Sequence, residues 1–112
     1  MGAAADYPQR IAMISMHTSP LATPGVGDAG GLNVYVAELA RRLGERGLQI
    51  DVFTRRDDPD APAAVEFGEH VRVLHVTAGP PTPVAKEALP PLVGEFAGRL
   101  RSRLGRYDLV HS

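Results

Sequence analysis

The sequence predicts an α/β fold built on a Rossmann-like parallel sheet with flanking helices. Short apolar runs typical of strands alternate with two segments of helical period, in the order strand, helix, strand, strand, helix, strand. Strands that alternate with helices pair in parallel through right-handed crossovers. The chain has 112 residues, the length of about one domain.

The first half of the chain supplies a strand, a helix and a second strand. The apolar run at residues 10–16 is predicted to be a strand buried on both faces. A helix is predicted from about Gly31 to Arg46, because apolar residues recur with helical spacing at Leu32, Val36, Leu39 and Leu43. Gly47 is placed where a helix commonly ends. Residues 48–54 alternate between apolar and polar types and form the second predicted strand.

The second half supplies two further strands and one helix. Residues 55–64 are charged and interrupted by prolines, so they predict a surface loop, and residues 70–76 predict the third strand. A second proline-rich connection follows at residues 77–91, and the helical period returns from Leu92. Residues 107–112 begin a fourth strand.

The position of that fourth strand predicts a longer protein. A doubly wound sheet seldom ends on a strand that has just begun. We therefore expect residues 1–112 to be the N-terminal part of a domain that is incomplete at its C-terminal end.

The bulk composition excludes several classes of protein. The formal net charge of −1 gives no general attraction to nucleic acid. The chain has no cysteines, which excludes disulfides and thiolate metal sites within it and suits the cytoplasm. No stretch has the pattern of a signal peptide or the length of a membrane span. We expect a cytoplasmic protein with neither a nucleic-acid partner nor a membrane span.

The connection between the first strand and the first helix carries the strongest functional signal. Residues 17–31 hold two prolines, four glycines, a histidine and an aspartate, and long loops in compact domains are usually functional. Ligands of open parallel sheets bind at the carboxyl ends of the strands. Gly30 and Gly31 would let an anion approach the free N–H groups at the helix start, so a phosphate or diphosphate is the predicted ligand. Asp28 is either a helix N-cap or an acceptor for substrate hydroxyl groups.

Two other classes of function stay open at this point. The glycines formally match G-x-G-x-x-G, but they start nine residues after the strand, whereas a dinucleotide-binding turn is tight. The second strand ends in "FTRR" rather than in an acidic residue, which argues against NAD and leaves NADP open. A module that binds a phosphorylated sugar or polyol without chemistry is the other alternative.

Three stretches of the chain resemble the N-terminal segment of GT-B glycosyltransferases of family 4: "ISMHTSPLATPGVGDAGGLNVYVAELARRL", "AGPPTPVAKEALP" and "YDLVHS". Within that family they are most similar to the enzymes that glycosylate inositol phosphate in mycothiol biosynthesis. The resemblance implies a retaining transfer of GlcNAc from UDP-GlcNAc to a phosphorylated polyol such as 1D-myo-inositol 3-phosphate. The nucleotide sugar is a substrate, so no cofactor is implied. A family 4 enzyme with another acceptor is the alternative.

The resemblance also implies binding residues by their position in the shared motifs. The acceptor would be lined by His17, Asp28, Ala29, Gly30, Leu32, Asn33 and Lys86, with Lys86 on the acceptor phosphate. The backbone of Gly31 would approach the donor diphosphate, with Thr23 and Pro24 nearby. His111, at the carboxyl end of the fourth strand, is a further candidate. No catalytic residue is assigned.

The resemblance implies that one domain binds the acceptor and a second domain binds most of the donor. In this family most donor contacts belong to a second domain, so residues 1–112 would form the acceptor-side domain and would transfer no sugar alone. The full-length protein is also a candidate homodimer. No metal site is predicted, since His70 and His75 are interpreted as structural or exposed residues and the acidic loop at residues 57–60 as solvated.

Overall fold

The computed structural model describes residues 9–16 and 31–111, without the side chains of residues 31–34 and Lys86. The elements in chain order are β1 (Arg10–Ile14), α1 (Gly31–Glu45), β2 (Gln49–Arg55), β3 (Ala64–Gly68), β4 (Val71–Val76), α2 (Val93–Leu104) and β5 (Leu109–His111). Two short 3₁₀ helices, Lys86–Ala88 and Pro90–Leu92, lie between β4 and α2. None of the described helices is long and apolar enough to cross a membrane.

The five strands form one sheet in the order β3-β4-β2-β1-β5. β1 pairs in parallel with β2 and β5, and β2 pairs in parallel with β4. β3 is antiparallel to β4 at the edge of the sheet. The predicted α/β fold class, with a mostly parallel sheet and flanking helices, is confirmed.

Each face of the sheet is covered by one helix. On one face, α1 contributes Val36 and Ala40 to a core with apolar residues of β1, β2 and β4. On the other face, α2 contributes Phe96 and Leu100 to a core around Phe53. β2 is central and buried on both sides, so its alternation of apolar and polar residues does not give it a solvent-exposed face.

The sequence prediction missed β3 and misplaced one histidine. β3 follows the predicted loop and has no fully buried residue, so it carries little of the signal of a core strand. His70 was expected within the third strand, but it lies in the turn before β4 with a φ of 61°. Gly47 has a φ of 91° and ends α1 as predicted.

Gly44 marks a close approach between α1 and the turn that joins β3 to β4. A Cβ atom built at Gly44 would lie 2.2 Å from the Glu69 carbonyl oxygen and 2.7 Å from a Val71 methyl carbon. We expect Gly44→Ala to lower the free energy of unfolding by about 2 kcal/mol, because a backbone atom must move to admit the methyl group. Urea denaturation of the purified protein measures the change.

Gly98 provides the matched control in α2, since a Cβ atom there would meet nothing within 4 Å. Gly98→Ala is expected to stabilise the protein by about 0.5–1 kcal/mol through helix propensity. Equal effects of the two substitutions would contradict the close approach at Gly44.

Candidate functional site

The parallel strands bring their carboxyl ends to one edge of the sheet, here called the carboxyl edge (the ends of β1, β2, β4 and β5). The parallel hydrogen bonding continues just past β1: the Ser15 N–H donates to the Phe53 carbonyl at 2.9 Å, and the Arg55 N–H donates to the Met16 carbonyl at 3.3 Å. The chain therefore enters the glycine-rich loop directly from the carboxyl edge, which is where ligands of such sheets bind.

Both helices begin at the carboxyl edge. The last turn of α1 meets the turn before β4, at the opposite edge, so the start of α1 at Gly31 lies toward the carboxyl edge. The first turn of α2 contacts the loop that follows β4, because the Gly79 N–H donates to the Glu95 carboxylate at 2.9 Å. Helix N-termini carry partial positive charge, so this edge favours anions.

The structure describes only part of the candidate binding set. The residues of the glycine-rich loop lie outside the described residues, namely His17, Thr23, Pro24, Asp28, Ala29 and Gly30. Gly31, Leu32 and Asn33 open α1, and Lys86 opens a 3₁₀ helix in the connection after β4. Both connections leave the sheet at the carboxyl edge, which agrees with a shared site.

His111 is also at the carboxyl edge. It is exposed at the end of β5 and pairs in register with Met13 of β1. The Asp108 carboxylate holds β5 in this register, since it accepts hydrogen bonds of 2.9 Å from the N–H groups of Gln9 and Arg10. These two bonds lower the pKa of Asp108.

Arg55 lies at the carboxyl end of β2. From the sequence it was used only as a basic residue that argues against NAD binding. Its side chain is buried, and its guanidinium donates to three backbone carbonyls of the loop after β4: Ala78 at 2.7 Å, Thr82 at 3.0 Å, and Pro80. The neighbouring Arg56 donates to the Ala61 carbonyl. These arginines hold loops, so the basic strand end gives no support to an NADP phosphate site.

The signal that could have identified Arg55 is an arginine at the end of a strand buried on both faces. Such a cation needs several acceptors, and a proline-rich connection offers carbonyls that no helix or strand uses.

A groove of about 440 Å³ opens at the carboxyl edge between the loops after β2 and β4, lined by Asp57, Asp58, Pro59, Pro81, Thr82 and Pro83. A larger one of about 530 Å³ lies at the opposite edge, next to Arg10, Gln49 and Arg72, and so is distant from the connections that carry the candidate residues. The described residues contain no group of three or more potential metal ligands. His75 instead contacts the Pro62 carbonyl through Nδ1 at 2.7 Å, a structural role.

A polar network around a buried carboxylate lies toward the opposite edge, on the α2 side of the sheet. The carboxylate of Asp51 has no solvent exposure and accepts two hydrogen bonds from Arg72, at 2.7 and 3.0 Å. It accepts two more from the Tyr107 hydroxyl at 2.5 Å and from Gln49 at 3.2 Å. Burial alone would raise the pKa of Asp51, but the hydrogen bonds from Arg72 and Tyr107 outweigh it and lower the pKa.

Ionisation of the Tyr107 hydroxyl is expected to weaken the network at alkaline pH. Burial, followed by the hydrogen bond to Asp51, raises the pKa of Tyr107 to about 12. An unfolded tyrosine titrates near pH ~10, so the contribution of Tyr107 to stability is complete below that pH and is lost as the pH rises through 12. We expect Tyr107→Phe to remove this part of the alkaline loss of stability, as measured by urea denaturation at several pH values. An unchanged alkaline profile would contradict the assignment.

Comparison with known proteins agrees with these observations. The family model Glycosyltransferase Family 4 matches residues 29–112. The chain is 59% identical over 106 residues to D-inositol 3-phosphate glycosyltransferase 1 of Catenulispora acidiphila, a match that covers 94% of this chain and 25% of that relative. It is 52% identical over 109 residues to D-inositol 3-phosphate glycosyltransferase of Kineococcus radiotolerans, with 93% of this chain and 25% of the relative covered. The chain thus spans about a quarter of the length of these curated relatives.

A solved structure has the same arrangement of elements. Sucrose-phosphate synthase from Thermosynechococcus elongatus superposes with a TM-score of 0.86 and 35% sequence identity. The match covers 92% of this chain and 26% of that chain. The expected family resemblance is therefore confirmed by sequence and by structure.

Proposed function

The chain belongs to glycosyltransferase family 4, and from that premise we propose that the full-length protein transfers GlcNAc from UDP-GlcNAc to 1D-myo-inositol 3-phosphate. The anomeric configuration is retained in the product. The observation that carries this proposal is the 59% identity to a relative named D-inositol 3-phosphate glycosyltransferase. The aligned region covers 94% of the chain, so it takes in the glycine-rich loop and the connection that holds Lys86.

The proposed roles follow the chemistry of each residue type. Lys86 carries a compact positive charge on a flexible stem and binds the acceptor phosphate. Asn33 and Asp28 bond to acceptor hydroxyl groups, and His17 donates or accepts a proton in a hydrogen bond there. The remaining acceptor-lining positions are the apolar residues Ala29 and Leu32 and the backbone of Gly30.

The donor side of the proposed site uses the start of α1. The backbone of Gly31 approaches the UDP diphosphate, and Thr23 and Pro24 lie next to it. During transfer the bond from the anomeric carbon to the diphosphate oxygen breaks, while the acceptor hydroxyl attacks from the same face and passes its proton to an oxygen of the departing diphosphate. Negative charge then develops on the diphosphate, where the partial positive charge of a helix N-terminus stabilises it.

We further propose that residues 1–112 are the acceptor-side part of the enzyme and that most donor contacts come from another domain of the full-length protein. The length comparison supports this division, since the chain covers only 25% of the relative named D-inositol 3-phosphate glycosyltransferase 1. A polypeptide limited to residues 1–112 is expected to release no UDP from UDP-GlcNAc in the presence of inositol phosphate.

The test is an assay of the full-length protein with UDP-GlcNAc and 1D-myo-inositol 3-phosphate, in parallel with residues 1–112 alone. Mass spectrometry detects the GlcNAc-inositol phosphate product, and proton NMR of its anomeric signal reports retention. Product from the full-length protein alone is the expected result. Transfer to a different phosphorylated polyol or sugar would favour the alternative acceptor, and acceptor binding without any transfer would favour a non-catalytic binding module.

A further inference from the structure

We propose that Arg55 is a positioning residue for acceptor binding: it holds the loop 78–82, and that loop presents Lys86 at the carboxyl edge. This inference rests on the proposed function, since it takes the acceptor phosphate to be the ligand of Lys86. Arg55 itself touches no substrate in this proposal. It acts through the backbone that leads to Lys86.

The guanidinium of Arg55 organises the loop by binding alternate carbonyls. Its Nε, Nη2 and Nη1 atoms donate to residues 78, 80 and 82 in turn, so the backbone curls around one planar group. The side chain is only 5% exposed, and water therefore cannot replace these acceptors easily. A planar fork with five donors suits this arrangement, whereas a lysine ammonium does not reach three separated carbonyls in one plane.

The opposite side of the same loop is held by α2 and the turn before it. Gly79 donates its N–H to the Glu95 carboxylate and has a φ of 72°. A Cβ atom at Gly79 would lie 2.6 Å from a methyl carbon of Leu92. The loop is thus clamped between the Arg55 side chain and the start of α2. A side chain at position 79 would displace the Leu92 side chain and would be strained by the positive φ.

The contacts of Arg55 and α2 with this loop fix the position of the Lys86 backbone. Thr82, the last residue bound by Arg55, precedes Lys86 by four positions, and Leu89 returns the chain to the core at 8% exposure. Between them, the Ala88 N–H donates to the Ala85 carbonyl at 2.8 Å and closes the turn that contains Lys86. A short segment with both ends fixed has few conformations, so the backbone of Lys86 is placed before any ligand arrives.

The partners of Arg55 are backbone carbonyls. Among residues 9–16 and 31–111, each ion pair joins other side chains, and Arg55 has only carbonyl partners. No described carboxylate pairs with Arg55, but Glu95 bonds to Gly79 of the same loop, and Asp57 and Asp58 line the groove beside Thr82. The inference therefore rests on how Arg55 holds the backbone and not on its charge.

The test uses the full-length protein with Arg55→Lys, which keeps the charge and removes the fork. The KM for inositol phosphate is expected to rise about tenfold or more, because a small displacement of a binding group has large effects. The KM for UDP-GlcNAc should change by no more than about twofold. Amide hydrogen exchange is expected to accelerate in residues 79–88.

Two further variants separate positioning from general damage. Arg56→Lys is the matched control, since Arg56 contacts the Ala61 carbonyl in a different loop, and it should leave both KM values unchanged. Gly79→Ala disturbs the clamp from its other side and should reproduce the rise in acceptor KM without altering Arg55. An unchanged acceptor KM in Arg55→Lys, or equal losses for donor and acceptor, would overturn the inference.

Failure of the proposed function can be distinguished from failure of the positioning role of Arg55. If the wild-type protein forms no product but binds inositol phosphate in calorimetry, the proposed transfer is wrong, and weaker binding by Arg55→Lys would still support the positioning role. Equal binding by the two proteins would overturn that role. If the wild-type protein binds no inositol phosphate, both the function and the inference fail.

Discussion

Asp51→Ala is expected to lower the free energy of unfolding by about 2–3 kcal/mol. The substitution leaves the Arg72 guanidinium, the Tyr107 hydroxyl and the Gln49 amide without the carboxylate that accepts their hydrogen bonds. The loss should fall below the largest values known for buried pairs, because the Arg72 side chain is 43% exposed and can recover water. Urea denaturation of the full-length protein at neutral pH measures the change.

The pH dependence of Asp51 provides an independent check. Its folded pKa lies below the usual value, so the stability that its charge contributes is present above the unfolded pKa of about 3.9 and is lost as the pH falls through the lower folded value. The difference in the free energy of unfolding between the wild-type protein and Asp51→Asn should therefore become smaller as the pH falls. Asp57→Asn, in an exposed loop, is the control and should change stability by no more than about 0.5 kcal/mol at neutral pH. A difference that stays constant down to low pH would contradict this account.

The sequence predicted the elements whose signals are local. The two helices follow from apolar residues spaced by three and four, and the ends of α1 and β1 agree with the structure within about two residues, the usual uncertainty of such boundaries. β3 was missed because an exposed edge strand of five residues buries little and follows a loop rich in proline. The core strands could be predicted since each is apolar where it packs against a helix.

Contacts between distant residues could not be predicted in the same way. Asp51 and Tyr107 are separated by 56 positions, and an aspartate in an alternating strand is normally expected to face water. The role of Gly44 depends on a turn that the sequence did not predict, since that turn starts at the end of β3.

The same contrast between local signals and distant contacts applies to the candidate site. The motif resemblance supplied candidates such as Lys86 and Asn33, because a family motif specifies a residue type at a fixed position. Arg55 was not assigned a role, since its three acceptors are backbone carbonyls, which any residue type can supply. Residues that position a loop are therefore harder to infer from sequence than residues that touch a ligand.

Lys86→Ala in the full-length protein is expected to lower kcat/KM for inositol phosphate about 100-fold, which corresponds to the loss of one well-placed charge-assisted interaction. Unphosphorylated inositol offers no phosphate to Lys86, so the activity with this poorer acceptor should change by no more than about threefold, within the usual effect of a surface substitution. Under the proposed function the wild-type protein prefers the phosphorylated acceptor, and this preference should nearly disappear in the variant. Parallel kinetics with the two acceptors measure that preference directly.

The neighbouring residue supplies a matched control for the Lys86 prediction. Glu87 is exposed in the same 3₁₀ helix, and Glu87→Gln removes a charge of the opposite sign without touching the proposed phosphate contact. Its activity with inositol phosphate should stay the same or rise slightly, because a nearby negative charge repels the phosphate. Lys86→Arg should recover part of the lost activity, since it restores the charge with a different geometry. An equal fall for both acceptors in Lys86→Ala would instead mean that Lys86 supports the fold of this connection and does not bind the phosphate.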